Sequence, residues 1–331
     1  MVKICVFDTE TTDVPPYLPG KDWNERTSND TKLLQYTDLS QPMSMWKQML
    51  SRWPSIIQLS YIVYDTERAE NTKIFNKYID IPENLVIAET SIAIHHINRE
   101  KIEQEPAEKK ALISDVVLEF VNDIMKSDVV TIVGHNVQFD RKMIIAELLR
   151  FKNETTSPNI EKQLQFLMND KKFTCSMEIT TSICNIQMAV HYKDKQTGED
   201  KVFYKRKSPK LSESYFHYFK DEPSGETLHD ALTDVIICLR VYMKYQYNED
   251  VFGKNEIITE YIKKITPKKS VDIENIKLEI IEPFNSEPST VTESTDLTIT
   301  TKTKRKRSDK KNKKTKTKRR RSKRIALLSK K

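Results

Sequence analysis

Residues 2–13 read VKICVFDTETTD: a largely apolar run ends in an aspartate, and a glutamate follows two positions later. Alternate residues of a strand project to the same side, so Asp8 and Glu10 face one way wherever the strand persists. This stretch constrains the fold more than any other. A strand whose apolar end belongs in a core must deliver two like charges together at its far end. In a partly dry site such a pair repels by something on the order of several kcal/mol unless it is neutralised. A divalent cation does so directly, and hard oxygen donors with few imidazoles suit Mg²⁺ or Mn²⁺ better than zinc. Taken alone, D-x-E also fits a strand end with two solvated acids.

The strand needs partners, and the chain supplies them. "IIQLSYIVY" (56–64) is long and apolar enough for a central strand, and "KIFNKYI" (73–79) alternates like a third. Between the first two strands, 13–54 reads as an irregular insertion containing Pro15, Pro16, Pro19, Gly20 and Pro42, with a short helix around 43–53. It exceeds ordinary loop lengths, which points to a functional or mobile segment. In 108–126, Leu112, Val116, Phe120 and Ile124 recur at helical spacing and predict an amphipathic helix. "VVTIVG" (129–134) reads as a buried strand and 141–151 as the helix after it. Further helices are expected within 175–190, at 210–219 and at 229–247. This order predicts one α/β domain over 1–250. A weakly patterned extension follows at 251–284, and 285–331 is a Ser/Thr-rich linker and Lys/Arg-rich tail that cannot bury enough apolar surface to fold.

Charge separates the same parts. Residues 302–331 hold 18 Lys/Arg against a single acid, Asp309. That leaves 37 basic and 47 acidic residues, a net −10, in the rest of the chain, although the whole carries +7. The acidic body therefore ends in a strongly basic tail. Clustered Lys/Arg bind phosphates in a sequence-blind, salt-sensitive way, and 302–324 also resembles a nuclear-localisation signal. The tail has no interleaved aromatics and so predicts no base stacking. The scattered cysteines (Cys5, Cys175, Cys184, Cys238) fit neither a zinc site nor a disulfide framework, so four reduced thiols in an intracellular protein are expected. No leader pattern and no membrane-length apolar run is present.

Two further segments carry chemistry. In "VVTIVGHNVQFD" (129–140), Asp140 falls in the first turn of a helix, where an anion is favoured; an ordinary capping acid reads the same way. Asn136 is likewise a candidate cap. In "LHDALTDVIICLRVY" (228–242), His229 and Asp234 lie roughly 140° apart on an ideal helix, so they converge only if His229 stands at the helix entry. Val235, Leu239 and Tyr242 would dock that helix on the sheet.

Together, D-x-E ending the first strand, N-x-x-x-D after a later strand and H-x-x-x-x-D on a late helix resemble the DnaQ-like (DEDDh) 3′→5′ exonucleases of the ribonuclease H-like superfamily. "DTETT", "IIQLSYIVYD", "IHHIN", "GHNVQFD", "TCSMEI" and "HDALTDV" extend the resemblance over about residues 2–245. It implies a mixed five-stranded sheet flanked by helices. It also implies phosphodiester hydrolysis with two divalent cations, Mg²⁺ or Mn²⁺, one to activate water and one to steady the leaving 3′ oxygen. Asp8 would bridge both ions, Glu10 and Asp234 would hold one, Asp140 would support the site, and His229 would be the general base. The backbone around Thr11 and the Asn136 side chain would meet substrate, and His95, in "IAIHHIN", would either contact substrate or pack structurally near the cleft. Asp13 stands where the family often has Gly, and the 13–54 insertion is longer than the family's usual connection.

The expected activity is removal of nucleoside 5′-monophosphates from 3′ ends of single-stranded or frayed nucleic acid. The tail favours DNA over RNA, and replication or repair proteins are candidate partners. Ribonuclease T-like or oligoribonuclease-like cleavage of RNA is the alternative. A reading from another class is a non-catalytic nucleic-acid-binding protein. The location expected is nuclear in a eukaryotic cell and otherwise cytoplasmic.

Overall fold

The computed structural model describes residues 2–15, 50–51, 53–154, 158–169, 172–194, 197–223 and 229–266. The greater part of the 13–54 insertion, with most of its expected helix at 43–53, lies outside the described residues. So do the linker and basic tail.

The elements are β1 (Lys3–Thr11), β2 (Ile56–Asp65), β3 (Lys73–Ile79), α1 (Glu89–His95), α2 (Arg99–Gln104), β4 (Lys110–Ala111), α3 (Ile113–Ile124), β5 (Val129–Gly134), α4 (Val137–Glu154) and α5 (Pro158–Leu167). They continue with β6 (Phe173–Cys175), α6 (Ser176–Cys184), β7 (Gln187–Lys193), β8 (Asp200–Arg206), α7 (Leu211–Phe219), α8 (Ala231–Tyr247) and α9 (Glu256–Ile265). The main sheet has the order β4-β3-β2-β1-β5-β6, with β1 antiparallel to β2 and parallel to β5. Six strands stand where five were expected. The extra one, β4, is a two-residue edge pairing with the end of β3.

Strand alternation gives the sheet two cores. Cys5 and Phe7 of β1 face Phe120 and Val121 of α3 and Ile144 and Leu148 of α4. Ile4 and Val6 face Val235, Ile236 and Leu239 of α8. β2 is buried at every position, as suits a strand covered on both sides. Each fully buried aliphatic side chain contributes roughly 1.5–3 kcal/mol, so these rows hold β1 rigidly.

Several boundaries moved for physical reasons. Leu112, placed on the apolar face of the third helix, is instead its exposed N-terminal flanking residue, and Val116, Val117, Phe120, Val121 and Ile124 bury the face. Beyond 250, Asn255 caps α9 by accepting from the Ile258 N–H (3.1 Å), and Ile258, Ile262 and Ile265 bury one stripe against the α8 side. The ordered body therefore runs past 250. All four cysteines are free. Among the described residues no helix is long and apolar enough to cross a membrane.

Candidate active site

β5 stops before β1 does. Their pairing ends at Val6–Val133, and the next residue, Gly134, is tightly enclosed: a Cβ there would lie 3.1 Å from Val137 Cγ2 and 3.3 Å from the Phe7 carbonyl oxygen. The chain turns at this point into α4. β1 runs on past it through Asp8, Thr9 and Glu10, paired on its other side with Ser60, Leu59 and Gln58 of β2, before a bulge between Glu10 and Thr11.

The Thr9 N–H, which has no strand on the β5 side, donates to Asp140 Oδ1 (3.1 Å). The Thr9 hydroxyl donates to the same oxygen (2.8 Å). Asp140 thus completes the hydrogen bonding of a strand that outruns its neighbour. On the opposite face Asp8 and Glu10 extend the row of Ile4 and Val6 that packs under α8, and Asp234 descends from the first turn of that helix. One carboxylate oxygen from each of Asp8, Glu10 and Asp234 lies within 4.8 Å of the other two.

This set is electrostatically unsatisfied. Burial first, then Asp140, Glu10 and Asp234, push the Asp8 carboxyl well above the usual range. Burial and then Asp234 and Asp140 do the same to Glu10. Burial raises Asp140 to about 7 against the two bonds from Thr9. It raises Asp234 to about 7 against a main-chain hydrogen bond from His229. Asp234 Oδ1 is buried with no hydrogen-bond partner. Such an atom is costly unless something electropositive reaches it. Three mutually close hard oxygens and one orphaned acceptor fit a divalent cation.

His229 does stand at a helix entry. It lies two residues before α8 with φ 67°, and Asp230 caps the helix by accepting from the Thr233 N–H (3.2 Å). The 140° separation from Asp234 therefore does not apply. His229 is exposed, and its pKa is lowered by partial burial and by His96 and Lys210.

A family model described as Exonuclease (RNase_T) matches residues 5–242. The chain belongs to this exonuclease family. The match is to a DEDDh-type exonuclease domain, as the motifs led one to expect. No curated protein matches it. Among solved structures it is similar to Exonuclease I of E. coli in complex with a dT13 oligonucleotide, at 12% identity and a TM-score of 0.41, over 76% of this chain and 42% of that one. The zinc-bound E. coli ExoI–ssDNA complex gives 13% and 0.43, over 79% and 43%. Exonuclease I of Methylocaldum szegediense gives 11% and 0.42, over 75% and 42%. The chain spans less than half the length of these proteins.

The other expected site residues divide into two kinds. Asn136 is exposed in a left-handed conformation (φ 69°) at the β5–α4 corner, open to a contact from outside. His95 is not: it is buried, its Nδ1 accepts from the Ile97 N–H (3.0 Å), and its Nε2 therefore donates to the Thr11 carbonyl (3.2 Å). Both ring nitrogens are used, and they tie the end of β1 to the turn after α1. Thr11 is also buried, its hydroxyl donating to the Asp13 carbonyl (2.7 Å). Thr12 ties the same corner to Ser55 and Ala88 through the main chain.

Two supporting residues escaped the motif reading. Gln58, fully buried opposite Glu10, donates through Nε2 to Asp230 Oδ1 and to Asn76 Oδ1 (both 3.0 Å), anchoring the cap of α8 to β2 and β3. An amide inside the otherwise apolar "IIQLS" was its signal. Arg150 donates to the carbonyls of Leu50, Trp53 and Pro54 (2.8–3.2 Å) and pairs with buried Glu147, which accepts from the Ile56 N–H (3.1 Å). This pair pins the end of the insertion to α4 beside β2.

Proposed function

We propose that this chain is a 3′→5′ exonuclease that hydrolyses phosphodiester bonds at 3′ ends of single-stranded or frayed nucleic acid, DNA in preference to RNA, releasing nucleoside 5′-monophosphates. The observation that carries this reading is the convergence of Asp8, Glu10 and Asp234, with its orphaned oxygen, at the exposed end of a rigid strand in an exonuclease-family chain. These three, with Asp140 beside them, would hold two divalent cations, Mg²⁺ or Mn²⁺. Bound divalent cations supply Lewis-acid polarisation of a phosphoryl oxygen and neutralise charge developing in the transition state.

The chain's own residues do the rest. The lowered pKa of His229 leaves its imidazole neutral near pH 7, so a ring nitrogen can take the proton of an attacking water. Asp140 and His95 hold β1 so that the acids stay in register. Asn136, exposed at the neighbouring corner, would meet the substrate strand. The basic tail offsets the repulsion between an acidic body and a polyanion, and truncation after residue 301 should weaken binding mainly at low salt. Nuclear residence in a eukaryotic cell, cytoplasmic otherwise, and contact with replication or repair proteins belong to the same proposal.

The test uses single strands of DNA and RNA labelled at the 5′ end, incubated with Mg²⁺, Mn²⁺ or chelator. The expected result is progressive shortening from the 3′ end, faster for DNA and abolished by chelator. If neither strand shortens, the proposal is wrong; cleavage of RNA alone would reverse the preference.

A further inference from the structure

Between α6 and α7 the chain leaves the body as an antiparallel ribbon, β7–β8, paired from Gln187–Arg206 out to Lys193–Asp200. Seven residues per strand give it a length of about 23 Å. Both faces are in water. Met188, Tyr192, Phe203 and Tyr204 are 39%, 44%, 47% and 72% exposed, although apolar side chains of this size usually find a core. A two-stranded ribbon exposed on both sides is marginally stable by itself, so this one is built to be covered.

The sequence indicates what covers it. Residues 187–207 hold six Lys/Arg against three acids, a net +3 within a body (1–301) that is net −10. The charges and rings are interleaved: Tyr192 precedes Lys193, and Phe203-Tyr204 runs into Lys205-Arg206-Lys207. In the pairing register Met188–Lys205 and Val190–Phe203 share a face with Tyr192, whose ring meets that of Phe203 edge-on at 5.7 Å, while Tyr204 lies on the other face. Exposed aromatics alternating with cations are the composition that binds single-stranded nucleic acid, the rings stacking on bases and the cations following phosphates. A purely apolar protein partner would not call for the cations. The basic tail has cations without rings; the ribbon has both.

Its root lies at the site. Immediately after β8, the Pro209 carbonyl accepts from His135 Nε2 (3.1 Å), and His135 stands at the β5–α4 corner that leads to Asp140. The root of the ribbon is therefore tied to the corner from which α4 carries Asp140.

We propose that the β7–β8 ribbon grips single-stranded nucleic acid on the 5′ side of the end being cleaved. The inference rests on the nuclease reading above. The test measures affinity of the full chain for a long oligothymidylate by fluorescence anisotropy in chelator, and separately cleavage of a trinucleotide, which offers little strand for the ribbon to hold. Replacing Tyr192, Phe203 and Tyr204 by Ala should weaken long-strand binding by about tenfold or more, with trinucleotide cleavage unchanged. Lys205→Glu with Arg206→Glu should flatten the salt dependence of binding. Unchanged affinity in both variants, including the case where they lose a protein contact instead, overturns the proposal. So does parallel loss of trinucleotide cleavage, which would make the ribbon a prop for the site. A wild-type chain that binds the long strand but cleaves nothing would fail the exonuclease reading and leave the grip standing.

Discussion

The two halves of β1 lie on one strand and one face yet do opposite things. Ile4 and Val6 are fully buried between β2 and β5 under α8. Asp8 and Glu10, the next two in the same row, are half-buried and carry charge that their surroundings resist. What changes between them is the neighbour. The pairing with β5 ends at Val6, and past that point β1 has no strand on that side, at the C-terminal ends of two parallel strands, the usual location of sites in open α/β sheets. Stability is concentrated in the first half, and the second half gives some of it up to hold acids together.

The sharpest way to break this contrast is to exchange the halves' chemistry. Asp8→Asn should lower strand cleavage by at least about 10³-fold, the scale on which preorganised charged groups act. Without cations it should raise the unfolding free energy by about 1–3 kcal/mol, since one member of a repelling cluster is neutral. Val6→Asp, a single pleat earlier, should cost more than about 4 kcal/mol and abolish folding. Urea denaturation and end-labelled cleavage measure both; an Asp8→Asn protein less stable than the parent would refute the contrast.

Acidity sharpens it next. The carboxyls of Asp8, Glu10, Asp140 and Asp234 have folded-state pKa values raised above the ordinary carboxylate range, two of them to about 7. The folded state therefore binds more protons than the unfolded chain between about pH 4 and 7, and cation-free stability falls as pH rises through that window. Mg²⁺ or Mn²⁺ should recover the loss, raising Tm by several degrees at pH 8 and little at pH 5. Equal shifts at both pH values would place the cation elsewhere.

His135 behaves in the opposite sense. Its Nε2 donates to Pro209 and its Nδ1 accepts from Ser176 (2.9 Å), and burial lowers its pKa to about 4. The unfolded chain binds the extra proton between about pH 6.5 and 4, so stability present at neutral pH is lost as pH falls through that window, roughly 3 kcal/mol in all. His135→Asn should remove this slope; an unaltered slope would show that the corner is not held by a neutral ring.

The smallest effect belongs to Gln58. Gln58→Met, which keeps bulk and removes the anchor of Asp230, should lower cleavage about tenfold and stability by about 1 kcal/mol, read by kinetics and denaturation together. A loss of stability without a loss of rate would confine Gln58 to packing.

Much of this was legible in the residues. The apolar runs marked the central strands; like charges two apart on a strand end fitted a solvated end as well as a cation site, and only Asp140, His229 and Asp234 set beside them pointed to the cation. His229 was readable only conditionally, since its left-handed φ depends on the turn and not on helical spacing. For His95 a structural role and a substrate contact read alike, because an imidazole's partners, here the Thr11 carbonyl and the Ile97 N–H, are set by tertiary structure. The β7–β8 ribbon went unread beyond 190: its alternation, QMAVHYK and DKVFYKR around a polar turn, has no buried face to sharpen it. The helix at 256–265 was overlooked because three isoleucines at spacings of four and three sit among charges.

Whether the acids at the end of β1 hold cations decides what that end of the strand is for. Titration of the full chain with Mn²⁺ at neutral pH, followed by the loss of the free ion's electron paramagnetic resonance signal, tests this most directly. Saturable uptake of two ions per chain, lost in Asp8→Asn, is predicted; uptake that survives Asp8→Asn unchanged, or no uptake at all, would contradict it.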